Sequence, residues 1–152
     1  MKILFLDHQG VMYTKKHPKP GTLDDFDTKA VQELNTILEA DPTIEIVVSS
    51  DWKYWVDLKT MGDFYEKQGI RKRPIDYTPK TPKYGSPYEL YRAREIQTWQ
   101  QKNPSANWVA VDDLDMRPYL ENFVWIQEPS KGLLQVGARD QILCFLEKIE
   151  IT

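Results

Sequence analysis

Short apolar runs alternate along this chain with longer stretches in which apolar residues recur at helical spacing. Four runs have strand character: Ile3–Leu6, Ile44–Val48, Trp108–Val111 and Phe123–Ile126. Each is continuous and rich in Val, Ile or aromatic residues, the pattern of strands covered on both faces. Pro74–Tyr77 offers a fifth, weaker strand. Thr28–Ala40 sets Ala30, Val31, Leu34, Ile37 and Leu38 at helical spacing behind an Asp27 or Thr28 cap. Pro87–Lys102 does the same with Leu90, Ala93, Ile96 and Trp99, and Arg139–Ile149 with Ile142, Leu143, Phe145 and Leu146. Trp52–Gly69 reads as one or two further helices, with Gly62 as a candidate break. This alternation predicts an α/β fold: a three-layer Rossmann-like sandwich whose central sheet is mainly parallel and joined by right-handed crossovers.

At 152 residues the chain is expected to form one domain, residues 1–152, with room for a single core. A hydrophobic share of 41% excludes a disordered chain. The opening apolar run is only four residues, flanked by Lys2 and Asp7, so no secretory signal is expected in it. Nothing approaches the ~20 apolar residues of a membrane span, and a soluble cytoplasmic protein is expected. Cys144, the one cysteine, cannot close an intrachain disulfide and reads as a small buried hydrophobe in a helix. No Cys/His cluster supports a zinc site.

The net charge of −3 conceals an asymmetry. Between Lys67 and Arg94 eight basic residues face two acids, a local +6 that leaves −9 for the rest. That segment is either a solvated basic face or a surface that attracts a polyanion. The two Pro/Gly-containing basic loops, Tyr13–Leu23 and Tyr77–Pro87, lie on strand-to-helix connections, where loops usually carry function. His17, beside Lys15, Lys16 and Lys19, reads as part of a solvated loop.

Chemistry-bearing residues sit at three strand ends. Asp7 follows the first strand, with Gly10 three residues on to allow a sharp turn and leave backbone amides free for a ligand. Ser49-Ser50 follows the second, and Asp112-Asp113 follows Trp108–Val111. In a doubly wound sheet such ends converge on one crevice. A carboxylate nucleophile, a hydroxyl donor and an acidic pair that can hold Mg²⁺ suit phosphoryl transfer. A cation must complete the set, because a phosphoryl group brings about two negative charges into a cluster of carboxylates.

These residues resemble the haloacid dehalogenase superfamily of phosphatases. FLDHQGV is similar to its first motif, with Asp7 as the nucleophile; VVSS to its second, with Ser49; VAVDD to its fourth, with Asp112 and Asp113. The third-motif cation is best met by Arg92, with Lys83 and Lys80 as rivals. The motifs run in order over about 110 residues. SSDW, RAREIQTWQQKNP, WVAVDD and KGLL together resemble the capless branch associated with RNA-repair proteins. The resemblance implies a Mg²⁺-dependent phosphohydrolase acting on phosphorylated RNA or DNA ends. It implies Asp7, the Gln9 backbone carbonyl, Asp112 and Asp113 around the metal, with Asp113 the direct ligand of the pair. Gly10, Ser50 and Lys83 are the residues expected to meet the substrate. The spacing leaves no room for a separate cap domain, so a large substrate would have to cover the cleft.

Gln9 departs from the family pattern, which has an aspartate there that protonates the leaving group and activates water. A glutamine amide can donate a hydrogen bond but not a proton, and lost general acid–base help costs ~10²–10⁴-fold. Three readings stay open: a slow phosphatase, a phosphotransferase or long-lived phosphoenzyme, and a module that binds phosphate or nucleic acid without turnover. His8 is poorly set to substitute, because neighbouring strand residues point to opposite sides. Ser50 is either a phosphate donor or a helix cap. Asp51 and Asp115 read as helix-terminal acids. Trp52 and Trp55 read as core, though with Tyr54 and Tyr84 they are also candidates to stack on bases. The order argues against a signalling receiver domain, where the acidic pair comes first and the phosphoacceptor later.

Overall fold

A computed structural model describes residues 1–16, 19–81, 87–104 and 107–147. Their elements run β1 Lys2–Leu6, α1 Thr28–Ala40, β2 Ile44–Val48, α2 Leu58–Gln68, β3 Asp76–Tyr77, α3 Tyr88–Lys102, β4 Asn107–Asp112, β5 Phe123–Trp125 and α4 Ala138–Leu146. Short 3-10 turns at Asp51–Tyr54 and Gly132–Leu134 complete the set. The five strands form one all-parallel sheet in the order β3-β2-β1-β4-β5. The predicted α/β fold and its strands and helices are therefore found, α1 and β2 with the expected ends.

Successive strand residues point to opposite faces, and the core divides accordingly. Leu4, Leu6, Ile46, Val48, Val109 and Val111 pack with residues of α1, α2 and α4. Ile3, Phe5, Val47 and Ala110 pack with Ala93, Ile96 and Trp99 of α3. The predicted apolar face of α1 is buried, and its cap is Asp27, whose carboxylate accepts from the Lys29 amide at 3.0 Å. Asp57 caps α2 and Gly69 ends it with φ of 88°.

Three expectations are corrected. Gly62 does not break its helix: it lies within α2, where a Cβ would meet the Arg73 guanidinium at 2.5 Å, so the glycine makes room for Arg73 to lie across the helix. Cys144 is exposed, because α4 turns Ala138, Ile142 and Leu146 inward and leaves position 144 on the outer face. The basic 67–94 segment is not one uniform face. Arg71 pairs with Glu39, Lys72 with Glu45, and Arg73 with Asp63 and Glu66, while Arg92 is buried.

His8 goes inward on the face opposite Asp7, into a box of Phe26, Trp52 and Tyr65. Its Nε2 shares a 2.6 Å hydrogen bond with the Tyr65 hydroxyl. Trp52 is core, stacked between Phe26 and Trp55. Burial, and then the Arg92 charge, lower the His8 pKa to about 3 from 6.5. The unfolded chain therefore takes up this proton first, and the stability His8 contributes above pH 6.5 is lost as pH falls toward 3. His8→Phe should flatten the acid side of the stability curve by up to ~1.4 kcal/mol per pH unit relative to wild type. Urea denaturation at a series of pH values checks this, and an unchanged slope would contradict the buried neutral imidazole.

Candidate active site

The sheet register assembles the site. Leu6 is aligned with Val48 on one side and Val111 on the other, so the next residues, Asp7, Ser49 and Asp112, stand abreast. The Ser49 amide donates to the Leu6 carbonyl at 3.0 Å, and the Asp7 amide to the Val111 carbonyl at 3.3 Å. Leu6, Val48 and Val111 share one face, so alternation turns the three polar residues toward the other, where α3 lies. The strand order reverses between β1 and β4, and open α/β sheets hold ligands at that switch point.

Arg92, on the first turns of α3, enters this edge almost fully buried. Its Nη1 donates to Asp112 Oδ2 at 2.7 Å and lies 3.1 Å from Asp7 Oδ1, while Nη2 is 3.4 Å from Asp51 Oδ1. Burial works against its charge, but Asp112, Asp7 and Asp51 outweigh that and hold it protonated. Burial, then the neighbouring Asp112 and Asp113, raise the Asp7 pKa well above the usual carboxylate range, with Arg92 opposing them. Asp113 is raised to about 6 by burial and then by Asp112.

Asp7, Asp112 and Asp113 each offer a carboxylate oxygen within 4.8 Å of the others. Fully ionised they carry three negative charges against one guanidinium, and a divalent cation would balance the remaining two. Three hard oxygen donors short of positive charge fit such an ion. Asp112 is committed on both oxygens, Oδ2 to Arg92 and Oδ1 to the Leu114 amide at 3.0 Å. Asp113 lies on the cleft wall. Gly10, with φ of 80°, brings bare backbone against it: a Cβ there would sit 2.4 Å from Asp113 Oδ2.

A cleft of about 240 Å³ opens over these groups, lined among others by Asp7, Gln9, Asp51, Tyr88, Arg92 and Asp113. Gln9 is exposed at its wall. Ser49 is 1% exposed, and its Oγ has no hydrogen-bond partner among the described residues. Ser50 also lines the cleft, but its Oγ accepts from the Trp52 amide at 3.1 Å, so it caps the 51–54 turn.

Of the rival third-motif cations, Lys80 sits over the Tyr54 ring, 4.9 Å from its centroid, and Lys83 lies outside the described residues, as do His17 and Tyr84. Asp115 pairs with Arg117. Two features of the site are missed by sequence reasoning. Asp51 faces the cleft and Arg92, for which its place two residues past Ser49 was the only signal. Lys53 is fully buried, its Nζ donating to Glu95 Oε1 at 2.9 Å and Thr78 Oγ1 at 2.8 Å. Burial lowers the Lys53 pKa, against the pull of Glu95. A lysine in a mixed polar segment gives no sign of this.

Comparison with protein families matches residues 3–136 to the HAD domain in Swiss Army Knife RNA repair proteins. No curated protein and no solved structure matches the chain.

Arg92→Met should show how far the carboxylates depend on the guanidinium. Removing one partner of a buried ionic cluster costs ~3–5 kcal/mol. Urea denaturation with chelator present should show that loss near neutral pH and a smaller one at acid pH, where protons take over the neutralisation. Equal stability of variant and wild type would contradict the assigned role.

Proposed function

The chain belongs to the family of HAD domains found in Swiss Army Knife RNA repair proteins, and on that footing we propose that it is a Mg²⁺-dependent phosphohydrolase that uses Asp7 on phosphorylated RNA or DNA ends. The observation that carries this reading is the convergence of Asp7, Asp112, Asp113 and Arg92 on one strand edge at the switch point of the sheet. A carboxylate held at such an edge can attack phosphorus and form an acyl phosphate. Arg92 orients the Asp7 carboxylate from 3.1 Å and offsets its charge as a phosphoryl dianion approaches. The Ser49 hydroxyl, buried without a partner, is a ready donor for a phosphate oxygen.

Asp7, Asp113 and the Gln9 carbonyl would hold Mg²⁺, with Asp112 tied to Arg92 behind them. When bound, the ion neutralises the phosphoryl oxygens and favours attack by a carboxylate. Among the described residues the connection from β1 to α1 contains no helix or strand, which supports an open cleft and a substrate large enough to exclude water itself.

A second reading rests on Gln9 on the cleft wall. Its amide cannot move a proton near neutral pH, which favours a module that binds phosphorylated ends without turnover. Phosphate release from 3′- and 5′-phosphorylated oligonucleotides separates the two. Mg²⁺-dependent release that falls to background in Asp7→Asn is expected. No release from any end, together with salt-sensitive oligonucleotide binding, would favour the binding module.

Mg²⁺ should also stabilise the fold in a pH-dependent way. Carboxyls whose folded pKa is raised, Asp113 to about 6, contribute stability that is full below 3.8 and is lost as pH rises through about 6. The cation replaces those protons. Its increment to Tm should therefore be larger at about pH 8 than at about pH 5. Equal increments in a thermal melt would count against these carboxylates as the binding set.

A further inference from the structure

Gln9 leaves the cleft without a proton-transfer group at the position where the resemblance expects one, so the other ionisable groups on its wall become the candidates. They are Asp7, Asp51, Tyr88, Arg92 and Asp113. Asp7 is taken up as the nucleophile and Asp113 belongs to the carboxylate set suited to a cation. Arg92 is held protonated by its acids. Tyr88, at the first position of α3, offers a phenolic hydroxyl, a weaker acceptor for a proton from water than a carboxylate.

Asp51 differs from all of these. It is the first residue of the 3-10 turn after β2 and faces the cleft. Its side chain is 35% exposed, against 4% for Asp7 and none for Asp112, so water reaches it. Arg92 Nη2 lies 3.4 Å away, longer than a normal hydrogen bond. The other nitrogen of the same guanidinium, Nη1, lies 3.1 Å from Asp7. One planar group thus spans two carboxylates that line the same cleft. The buried Lys53–Glu95 pair fixes the 51–54 turn against α3 and keeps that spacing.

We infer that Asp51 is the general base for hydrolysis of the aspartyl phosphate, an inference that rests on the hydrolase reading above. In the first step the Asp7 oxygen bonds to phosphorus and the leaving oxygen departs, taking a proton from solvent in the open cleft. In the second a water oxygen attacks phosphorus while a proton of that water passes to an Asp51 oxygen. The bond from phosphorus to Asp7 breaks, its electron pair returning to the Asp7 carboxylate, and Asp51 releases its proton to solvent.

Burst kinetics with an aryl phosphate, whose leaving group needs no proton, test this. Asp51→Asn should keep a burst of about one aryloxide per active site at near wild-type rate, while steady turnover falls ~10²–10⁴-fold. Phosphorylated protein should accumulate, as seen in its intact mass. Gln9→Asp should speed dephosphorylation far more in the Asp51→Asn background than in wild type. If Asp51→Asn slows burst and turnover alike, the residue merely positions Arg92, and the inference is overturned. Unchanged turnover overturns it as well. A wild type that gives neither phosphoenzyme nor phosphate, from aryl phosphate or oligonucleotide ends, overturns the hydrolase reading itself and this step with it.

Discussion

One guanidinium lets four carboxylates share a strand edge. Arg92 reaches Asp112, Asp7 and Asp51 from α3, and Asp113 lies beside them against the backbone of Gly10. Like charges packed this closely in a buried place repel strongly, and protons relieve them only by neutralising groups the site needs ionised. Arginine suits the place because it stays charged when buried and offers a planar fork to several oxygens at once. Everything else at this edge is arranged to bring that fork to those oxygens.

The charged content of α3 follows from the same demand. Its buried face carries Arg92 and Glu95 beside Ala93, Ile96 and Trp99, so it is a weaker apolar stripe than that of α1. Arg92 ties the helix to Asp7, Asp112 and Asp51, and Glu95 ties it to Lys53 and Tyr54. The two α3 residues that hold the 51–54 turn, Arg92 and Glu95, lie about one helical turn apart and so fix helix and turn against each other at two points. Burying two ionic groups is poor economy for stability alone. It does specify how α3 sits over the sheet, which an apolar face of similar size would leave free to slide.

The fold was legible because strands covered on both faces leave continuous apolar runs, and helices covered on one leave a periodic stripe. Asp7, Ser49, Asp112 and Asp113 were legible for a related reason: a polar residue directly after such a run must sit at a strand end. Their side-by-side alignment was not, since it depends on Leu6 pairing with Val48 and Val111. Arg92 stood among rivals because periodicity does not tell a buried cation from an exposed one. Asp51, Lys53 and the exposed Cys144 were misjudged or missed for the same cause. What decides each of them is a partner far away in sequence.

Gln9 has a physical reason as well as a chemical consequence. An aspartate there would add a negative charge to a cleft whose wall already holds Asp7, Asp51 and Asp113 around one arginine. Glutamine keeps a hydrogen-bond donor and removes that charge, which lowers the repulsion an anionic ligand would meet. Proton transfer and charge balance thus pull position 9 in opposite directions. With Asp51 already set in the cleft beside the same guanidinium, a neutral residue at position 9 avoids a further carboxylate that would raise the repulsion.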